Sequence, residues 1–420
     1  MDTKIYGLDF GTTNSAISIL DNGEAKVLPI GRHGQKTVRS VLFFPQDSSR
    51  AYVGEEAILK YVSSGMKGRL LQSIKSALTD EGFIGTMING KKYTVEDLIS
   101  IIIKELRQKA DALVGEEINS VVLGRPAIFS DNLKKESLAQ ERLKCAAQMA
   151  GFEKVYFQLE PIAAAFDYEM TLDKEETVLV ADLGGGTSDF TVIKLSPQTS
   201  KNKDRREDIL SVGGVYIGGD NFDSQIMSHK LLMYFGSLSN YKSGAKWLHI
   251  PNRLTATLCD WRRISFLKSD KDEMKLISEI LKTSDDKESI VRLNTLINED
   301  LGFSLFQEIE KAKIGLSDNL VENINFNQSK IRIEEKLNRD EFELFIKELT
   351  NKINIEVDET LCRSKLKKED IDSVFLTGGT TYVPSVKRLF IDKFGENKVK
   401  QGDAFISVAR GLALNSEIGA

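Results

Sequence analysis

Two short segments of this chain are near copies of one another, and they constrain its fold more than any other feature. The first is Gly7-Leu8-Asp9-Phe10-Gly11-Thr12-Thr13-Asn14-Ser15, with the apolar residues Ala16, Ile17, Ile19 and Leu20 after it. The second is Ala181-Asp182-Leu183-Gly184-Gly185-Gly186-Thr187-Ser188-Asp189, followed by Phe190-Thr191-Val192-Ile193-Lys194-Leu195. Each has an apolar lead-in, an Asp, glycine, Thr, and then strand-like alternation. Each reads as a β-hairpin with a glycine-rich turn. Glycine lets backbone approach a ligand closely, and successive N–H groups in such a turn form an anion-binding concavity. The hydroxyls add donors, and an Asp can hold a hydrated Mg²⁺. A plain glycine-rich turn accounts for either hairpin alone. The pair, one in each half of the chain, implies a nucleotide whose phosphates are gripped from both sides.

The rest of the composition narrows the class. With 420 residues there is room for at least two domains with full cores. A net charge of −5 disfavours a general nucleic-acid binder. Cys145, Cys259 and Cys362 are odd in number and widely spaced, so neither a disulfide framework nor a zinc site is expected, and a reducing cytoplasm fits. His33, His229 and His249 do not pair with cysteine at ligand spacing. The chain opens straight into a strand with no signal segment, and apolar runs such as Ile99 to Ile103 are far too short to span a membrane. The mixed-charge run Lys201 to Asp208 reads as a solvated loop.

Along the chain, residues 4–30 read as three strands with a turn at Asp21-Asn22-Gly23, and Arg39 to Pro45 as another strand. Thr94 to Val114 reads as an amphipathic helix with Leu98, Ile101, Ile102, Leu106 and Leu113 on one face. A buried strand, Val121 to Gly124, ends at Arg125-Pro126. Asp131 to Ala150 is a helix stopped by Gly151, and Val155 to Leu159 a strand. Glu160-Pro161 opens an alanine-rich helix. The second half starts over at Thr177, has a helix after Gly218-Gly219-Asp220-Asn221-Phe222-Asp223, and reads as long helices over 224–318. Ile331 to Ile333 is a strand and Arg339 to Cys362 a helix. Ser373 to Thr377 is a strand closed by Gly378-Gly379, with a further helix opening at Tyr382-Val383-Pro384-Ser385. Such alternation argues for α/β sheets covered by helices.

These residues resemble the actin-like ATPase superfamily, and most closely the DnaK-type heat-shock chaperones. The two hairpins look like that family's phosphate loops. Glu160-Pro161-Ile162-Ala163-Ala164-Ala165 resembles its lobe-joining segment, and Gly218 to Asp223 its Gly-Gly-Glu-Asp-Phe-Asp. Glu310-Lys311-Ala312-Lys313-Ile314-Gly315-Leu316-Ser317 resembles its adenosine-contacting helix. Leu376-Thr377-Gly378-Gly379-Thr380-Thr381-Tyr382-Val383-Pro384 resembles its adenosine loop. The motifs fall in the family's order from residue 5 to about residue 410.

The resemblance implies a fold of two ribonuclease H-like α/β lobes with a nucleotide cleft between them. Lobe I would be 1–174, with a C-terminal helix at about 400–420 packed back on it. Lobe II would be 175–399, enlarged by a helical insertion at about 224–309. It implies ATP or ADP with Mg²⁺ as cofactors and slow hydrolysis of ATP. Asp9 and Asp182 would hold the metal's water shell, Asp9 also serving catalysis. Gly11, Thr12, Thr13, Asn14, Gly184, Gly185, Gly186 and Thr187 would contact phosphates. Lys75 matches the lysine beside the γ-phosphate and attacking water, and Glu160 the carboxylate near that water; Thr187 joins them as a catalytic group. Gly218, Gly219, Glu310, Lys311, Lys313, Ile314, Ser317, Gly378, Gly379, Thr380, Tyr382 and Asp403 match the nucleoside side. Each has a plainer reading: Lys75 as a surface lysine, Glu160 as a helix-start carboxylate, Ile314 and Tyr382 as packing.

The departures are specific. Ile314 and Tyr382 stand where many relatives place an Arg on each side of the adenine; an apolar and an aromatic group also hold a base by stacking. Lys134 stands where an Arg usually relays the nucleotide state beside Pro126. The stretch between Asp223 and Glu310 is several tens of residues longer than usual. The expectation is a short, YegD-like member without its own peptide-binding domain, reaching an unknown protein partner or client through the insertion, with Trp247 and Trp261 as candidate contacts. A small-molecule kinase of the same superfamily, an actin-like filament protein and a nucleotide-dependent scaffold are the alternatives.

Overall fold

The structure, a computed structural model, describes residues 4–21, 24–46, 48, 50–64, 67–130, 132–198, 205–268, 270–402 and 407–414. Asn22-Gly23 of the first expected turn, Asp131, the charged residues 201–204, Asp403 and the end of the expected C-terminal helix lie outside them. The first glycine-rich segment is a hairpin. Strand Tyr6–Phe10 ends at Gly11, where any Cβ would overlap the Asn14 carbonyl, and strand Asn14–Asp21 returns antiparallel. Glu24–Val27 extends the meander. On its other side Tyr6–Phe10 pairs in parallel with Ser120–Arg125, which pairs in parallel with Lys154–Leu159.

The second glycine-rich segment repeats this topology. Glu176–Leu183 pairs antiparallel with Ser188–Leu195, which pairs antiparallel with Ile209–Val215. Its other edge pairs in parallel with Ser373–Thr377, and that strand with Val399–Gln401. Numbered along each half, both sheets share the five-strand order 3-2-1-4-5, with strand 2 alone antiparallel to its neighbours; the first sheet adds Thr37–Arg39, paired antiparallel with strand 2. Asp9 and Asp182 occupy equivalent places near the end of each central strand.

Helices cover the sheets where the sequence carries apolar spacing. Val95–Val114 starts in a capping box between Thr94 and Asp97 and stops at Gly115, which is left-handed at φ 83°. Its Leu98, Ile99, Ile102, Ile103 and Leu106 are buried against the first sheet beside Ala139, Leu143 and Ala146 of helix Leu133–Met149. Each such leucine or isoleucine contributes about 1.5–3 kcal/mol by leaving water. Leu113 departs from the expected face: it sits in the helix's last turn, beyond the core, and is 54% exposed. A second core joins helix Glu160–Glu169, helix Ser407–Leu414 and both sheets through Val122, Ile162, Ala165, Val180, Ile193, Phe375 and Leu412. The helices touch backbone to backbone, since a Cβ at Gly411 would overlap the Ala163 carbonyl.

By packing, the chain forms two compact units. One comprises residues 1–216, 353–381 and 387–420 and holds both sheets; the other comprises 217–352 and 382–386. The second unit differs in detail from the all-helical reading of 224–318. Helix Gly219–Ile226 passes through a π-helical turn, Met227–Leu231, and a 3-10 turn, Leu232–Phe235. A hairpin of Asn240–Ser243 and Lys246–His249 follows, turning at left-handed Gly244. Only then do the helices Asn252–Leu258, Trp261–Leu267, Lys271–Thr283, Lys287–Asn298 and Gly302–Gly315 run. Ile331 to Ile333 is the start of a longer strand, Ile331–Asn338, paired with Val321–Gln328. The helix expected from Arg339 to Cys362 breaks at Ile346 into Arg339–Phe345 and Lys347–Ser364.

Candidate phosphate-binding and hydrolytic site

Lys75 enters from a 3-10 turn, Ile74–Thr79, pinned by buried Ile74 and Leu78. Glu160 is the first residue of its helix, with Pro161 in the first turn. Lys75 Nζ donates to Glu160 Oε1 at 2.8 Å, and each side chain is only 13% exposed. Gly124 makes room for this pair: a Cβ there would lie 3.2 Å from Glu160 Cγ. Burial pulls the Lys75 ammonium down, but Glu160, Asp9 and Asp182 outweigh it and hold Lys75 above its ordinary value. Lys75 is therefore a fixed cation near neutral pH, not a base.

The carboxylates around it carry more negative charge than Lys75 can match. Asp9 is lifted to about 7, first by loss of water contact and then by Glu160, against the pull of Lys75. Asp182 is lifted to about 8 by the same loss of water and by Asp189, Glu160 and Asp9. Asp189 is crowded by the same walls and lifted to about 6, and it accepts from Thr187 Oγ1 at 2.8 Å. The Thr187 hydroxyl and the Lys75 ammonium both favour its anion, which leaves it the most acidic of the three. Such an excess of hard oxygen donors fits a divalent cation. Among the described residues no three His, Cys, Asp or Glu side chains could ligate an ion directly. That suits Mg²⁺, which keeps most of its waters and takes phosphate oxygens alongside one or two carboxylates.

The two glycine-rich turns face each other in this unit: a Cβ on Gly186 would meet the Thr12 methyl at 3.9 Å. The second turn is closed by Gly184 N donating to Thr187 O at 2.9 Å. It is tied down by Thr380 Oγ1, which donates to Gly184 O at 2.7 Å. Gly378, at φ 84°, is where only glycine fits, because a Cβ would overlap the Leu183 carbonyl and crowd Asp182 Oδ1. The first turn is braced by Ser40, whose N donates to Thr13 O and whose Oγ donates to Gly11 O. Gly11, Thr12, Thr13, Asn14, Gly184, Gly185, Gly186 and Thr187 all remain partly open to solvent.

Gly218, Gly219, Glu310, Lys311, Lys313, Ile314, Ser317 and Tyr382 belong to the second unit, whereas Gly378, Gly379 and Thr380 belong to the first. Gly218 N is capped by Asn221 Oδ1 at 2.9 Å. Lys313 Nζ donates to Asp223 Oδ2 at 2.8 Å and Gly219 O at 3.1 Å, joining two of the expected motifs. Ile314 and Tyr382 are 58% and 42% exposed, so neither is buried in the core. Lys311 is 79% exposed and only loosely paired with Glu308. Asp403 lies outside the described residues.

Three features escaped the sequence reading. Asp189 was part of a quoted motif but not assigned a role; its place opposite Asp182 in the hairpin register was the available signal. Gly124 carried none. Lys134 is exposed, and the guanidinium beside Pro126 is instead that of Arg125, which pairs with Glu136 and Gln140. The other Glu136 oxygen accepts from Phe129 N at 2.7 Å and Ser130 N at 3.0 Å.

Two sheets of identical strand order, each with an Asp at the end of its central strand, define an actin-like ATPase fold. Within that class the chain belongs to the Hsp70 family: a family model described as Hsp70 protein matches residues 5–238 and 273–420. The unmatched stretch falls inside the enlarged region and contains the Asn240–His249 hairpin. The chain is similar to the chaperone protein DnaK of Thermosipho melanesiensis, at 28% identity over 422 residues, covering 99% of this chain and 59% of that protein. It is similar at 27% identity to those of Thermosipho africanus and Thermotoga maritima, with the same shares of each chain covered. It thus spans 59% of the length of these relatives. No helix among the described residues is long and apolar enough to cross a membrane.

Proposed function

We propose that this chain is an ATP-binding, slowly ATP-hydrolysing module of the chaperone type. The observation that carries the reading is the Lys75–Glu160 pair set among Asp9, Asp182 and Asp189, beside two facing glycine-rich turns. Phosphoryl transfer needs positioning and charge neutralisation more than covalent chemistry. Backbone N–H groups of both turns and the Thr12, Thr13 and Thr187 hydroxyls bind phosphate oxygens. Lys75 neutralises the γ-phosphate, and Glu160 orients the attacking water. Asp9 and Asp182 would hold the waters of a Mg²⁺, which when bound would supply charge neutralisation at the phosphates. Turnover is slow in this reading because Glu160 Oε1 is already engaged by the Lys75 ammonium at 2.8 Å, so only part of the carboxylate is left to meet the water.

On the nucleoside side, Tyr382 and Ile314 take the adenine, with Lys313, Glu310 and Ser317 toward the ribose. In this reading the lobes are 1–174, together with the C-terminal helix of about 400–420, and 175–399. The region 224–309 meets a protein partner, and the compartment is the cytoplasm. Titration calorimetry with ADP, ATP and GTP in millimolar Mg²⁺ tests the core of this reading. Binding of adenine nucleotides over guanine, with slow phosphate release from ATP, is expected. Absence of any nucleotide binding overturns it.

A further inference from the structure

Lys75 is presented by a weak support. Its 3-10 turn is six residues long, and the residue before it, Ser73, is left-handed at φ 54° and gives no side-chain cap. Short 3-10 turns have poor hydrogen-bond geometry, and their last carbonyls lack donors within the turn. Here two carbonyls of the turn, and two of the segment that follows it, converge on one side chain. Arg142 Nη1 donates to Ala77 O and Leu78 O at 3.1 Å and to Asp80 O at 2.9 Å. Its Nη2 donates to Phe83 O at 3.3 Å. Its Nε lies 3.5 Å from Glu96 Oε1, in the first turn of helix Val95–Val114. The Arg142 side chain is 11% exposed, and its own helix is fixed in the core by Ala139, Leu143 and Ala146.

We propose that Arg142 is a positioning residue for Lys75. The guanidinium ties the turn's carbonyls to two core helices, and so sets where the Lys75 ammonium stands against Glu160 without touching the site. A guanidinium suits this task because it is always charged and spreads five donors in one plane. It also meets the negative end of the turn's dipole. A lysine at this place is a point charge that cannot serve the same fan of carbonyls. The consequence for hydrolysis rests on the function proposed above; the placement of Lys75 does not.

The test labels lysines with a water-soluble acetylating ester in the wild-type chain, Arg142→Ala and Arg142→Lys, and reads each site by mass spectrometry. Lys311 serves as the exposed internal reference. In the wild type, Lys75 should react slowly, because its ammonium is held on Glu160. In Arg142→Ala the Lys75 to Lys311 ratio should rise by about tenfold, equivalent to one pKa unit of lost interaction. Arg142→Lys should fall between, and free guanidinium at tens of millimolar should restore protection in Arg142→Ala. Single-turnover ATP hydrolysis should fall in the same order, with ADP affinity nearly unchanged. A folded Arg142→Ala with an unchanged Lys75 ratio overturns the proposal, as does failure of guanidinium to restore protection. Should Arg142→Ala not fold, Arg142→Lys carries the same comparison. A wild-type chain that hydrolyses no ATP removes the proposed function, while the Lys75 ratio still decides the positioning claim.

Discussion

Lys75 and Thr187 show how little a single side chain must do here. Neither acts as a base: Lys75 is held protonated by Glu160, and the Thr187 hydroxyl, whose one proton goes to Asp189 here, must turn it to a phosphate oxygen when a nucleotide binds. Their contribution is to meet charge that grows as the phosphoryl group leaves, so their loss belongs in the transition state. Lys75→Ala and Thr187→Ala should each slow single-turnover hydrolysis by about 10²–10³ while leaving the ATP dissociation constant almost unmoved. A parent-like rate in either variant removes that residue from the reaction. Asp223 makes a different prediction, about pH. Burial lifts its carboxyl to about 7, against the pull of Lys313 and with Glu310 and Asp220 adding to the rise. Among the described residues its buried Oδ1 has no hydrogen-bond donor to favour the anion. The folded chain therefore keeps a proton that the unfolded chain releases near its ordinary value of 3.8. The stability this gives is complete below that value and is lost as pH rises toward about 7. Asp223→Asn should flatten the fall in melting temperature over that window. An unchanged slope would mean that Asp223 is ionised throughout.

Among the elements, helix Glu160–Glu169 deserves the closest reading because both of its ends are charged. Its first residue faces the site, and Glu169, in its last turn, is fully buried. Glu169 takes both Arg205 Nη groups, at 2.8 and 2.9 Å, and also accepts from Ser196 N at 3.0 Å. Breaking a buried bidentate pair leaves a charge in a place that cannot solvate it, at a cost of about 3–5 kcal/mol. Glu169→Gln should therefore lower the melting temperature far more than the surface change Lys26→Gln does. An equal effect of the two would show that water reaches Arg205. How much of these elements the sequence revealed depended on how local their signals were. The two hairpins, the Thr94 cap, the Gly151 stop and the Pro161 start are each written within a few residues, and they were legible. The hairpin Asn240–His249 was not, because its second strand is exposed along its whole length and carries no apolar alternation. Val321–Gln328 was masked by its asparagines, with only Ile324 and Phe326 buried. Within the site, the bonds that hold residues in place were not legible, although Thr380 itself stood in a motif. The bonds from Ser40 to Gly11, from Thr380 to Gly184 and from Arg142 to the Lys75 turn all cross large sequence separations. A motif names the residues that meet a ligand, whereas its supports are chosen by the fold.

For the molecule as a whole, the unbalanced charge of the phosphate site has a thermodynamic consequence. Asp9, Asp182, Asp189 and Glu160 crowd around one lysine, and the first two are lifted to about 7 and 8 because the folded chain cannot satisfy them as anions. The folded state is thus strained at the place where it would accept a cation and phosphates. A ligand that binds only the folded chain stabilises it by mass action, about 2.7 kcal/mol at a hundred times its dissociation constant. For compact units of this size, each kcal/mol moves the melting temperature by about 2–4 °C. ADP with Mg²⁺ should therefore raise the melting temperature by several degrees. ADP with a chelator should raise it much less, because phosphate charge added without the cation worsens the local repulsion. Mg²⁺ alone should do little, since no cage of direct ligands awaits it among the described residues. Asp9→Asn and Asp182→Asn should narrow the gap between the ADP scans with and without Mg²⁺, and should themselves stabilise the nucleotide-free chain by removing a carboxylate that the fold must protonate or leave unsatisfied. Scanning calorimetry over these conditions gives the answer directly. Equal shifts with and without Mg²⁺, or variants less stable than the parent in the absence of nucleotide, would mean that the carboxylates are not gathered for a cation and that the site works by another chemistry.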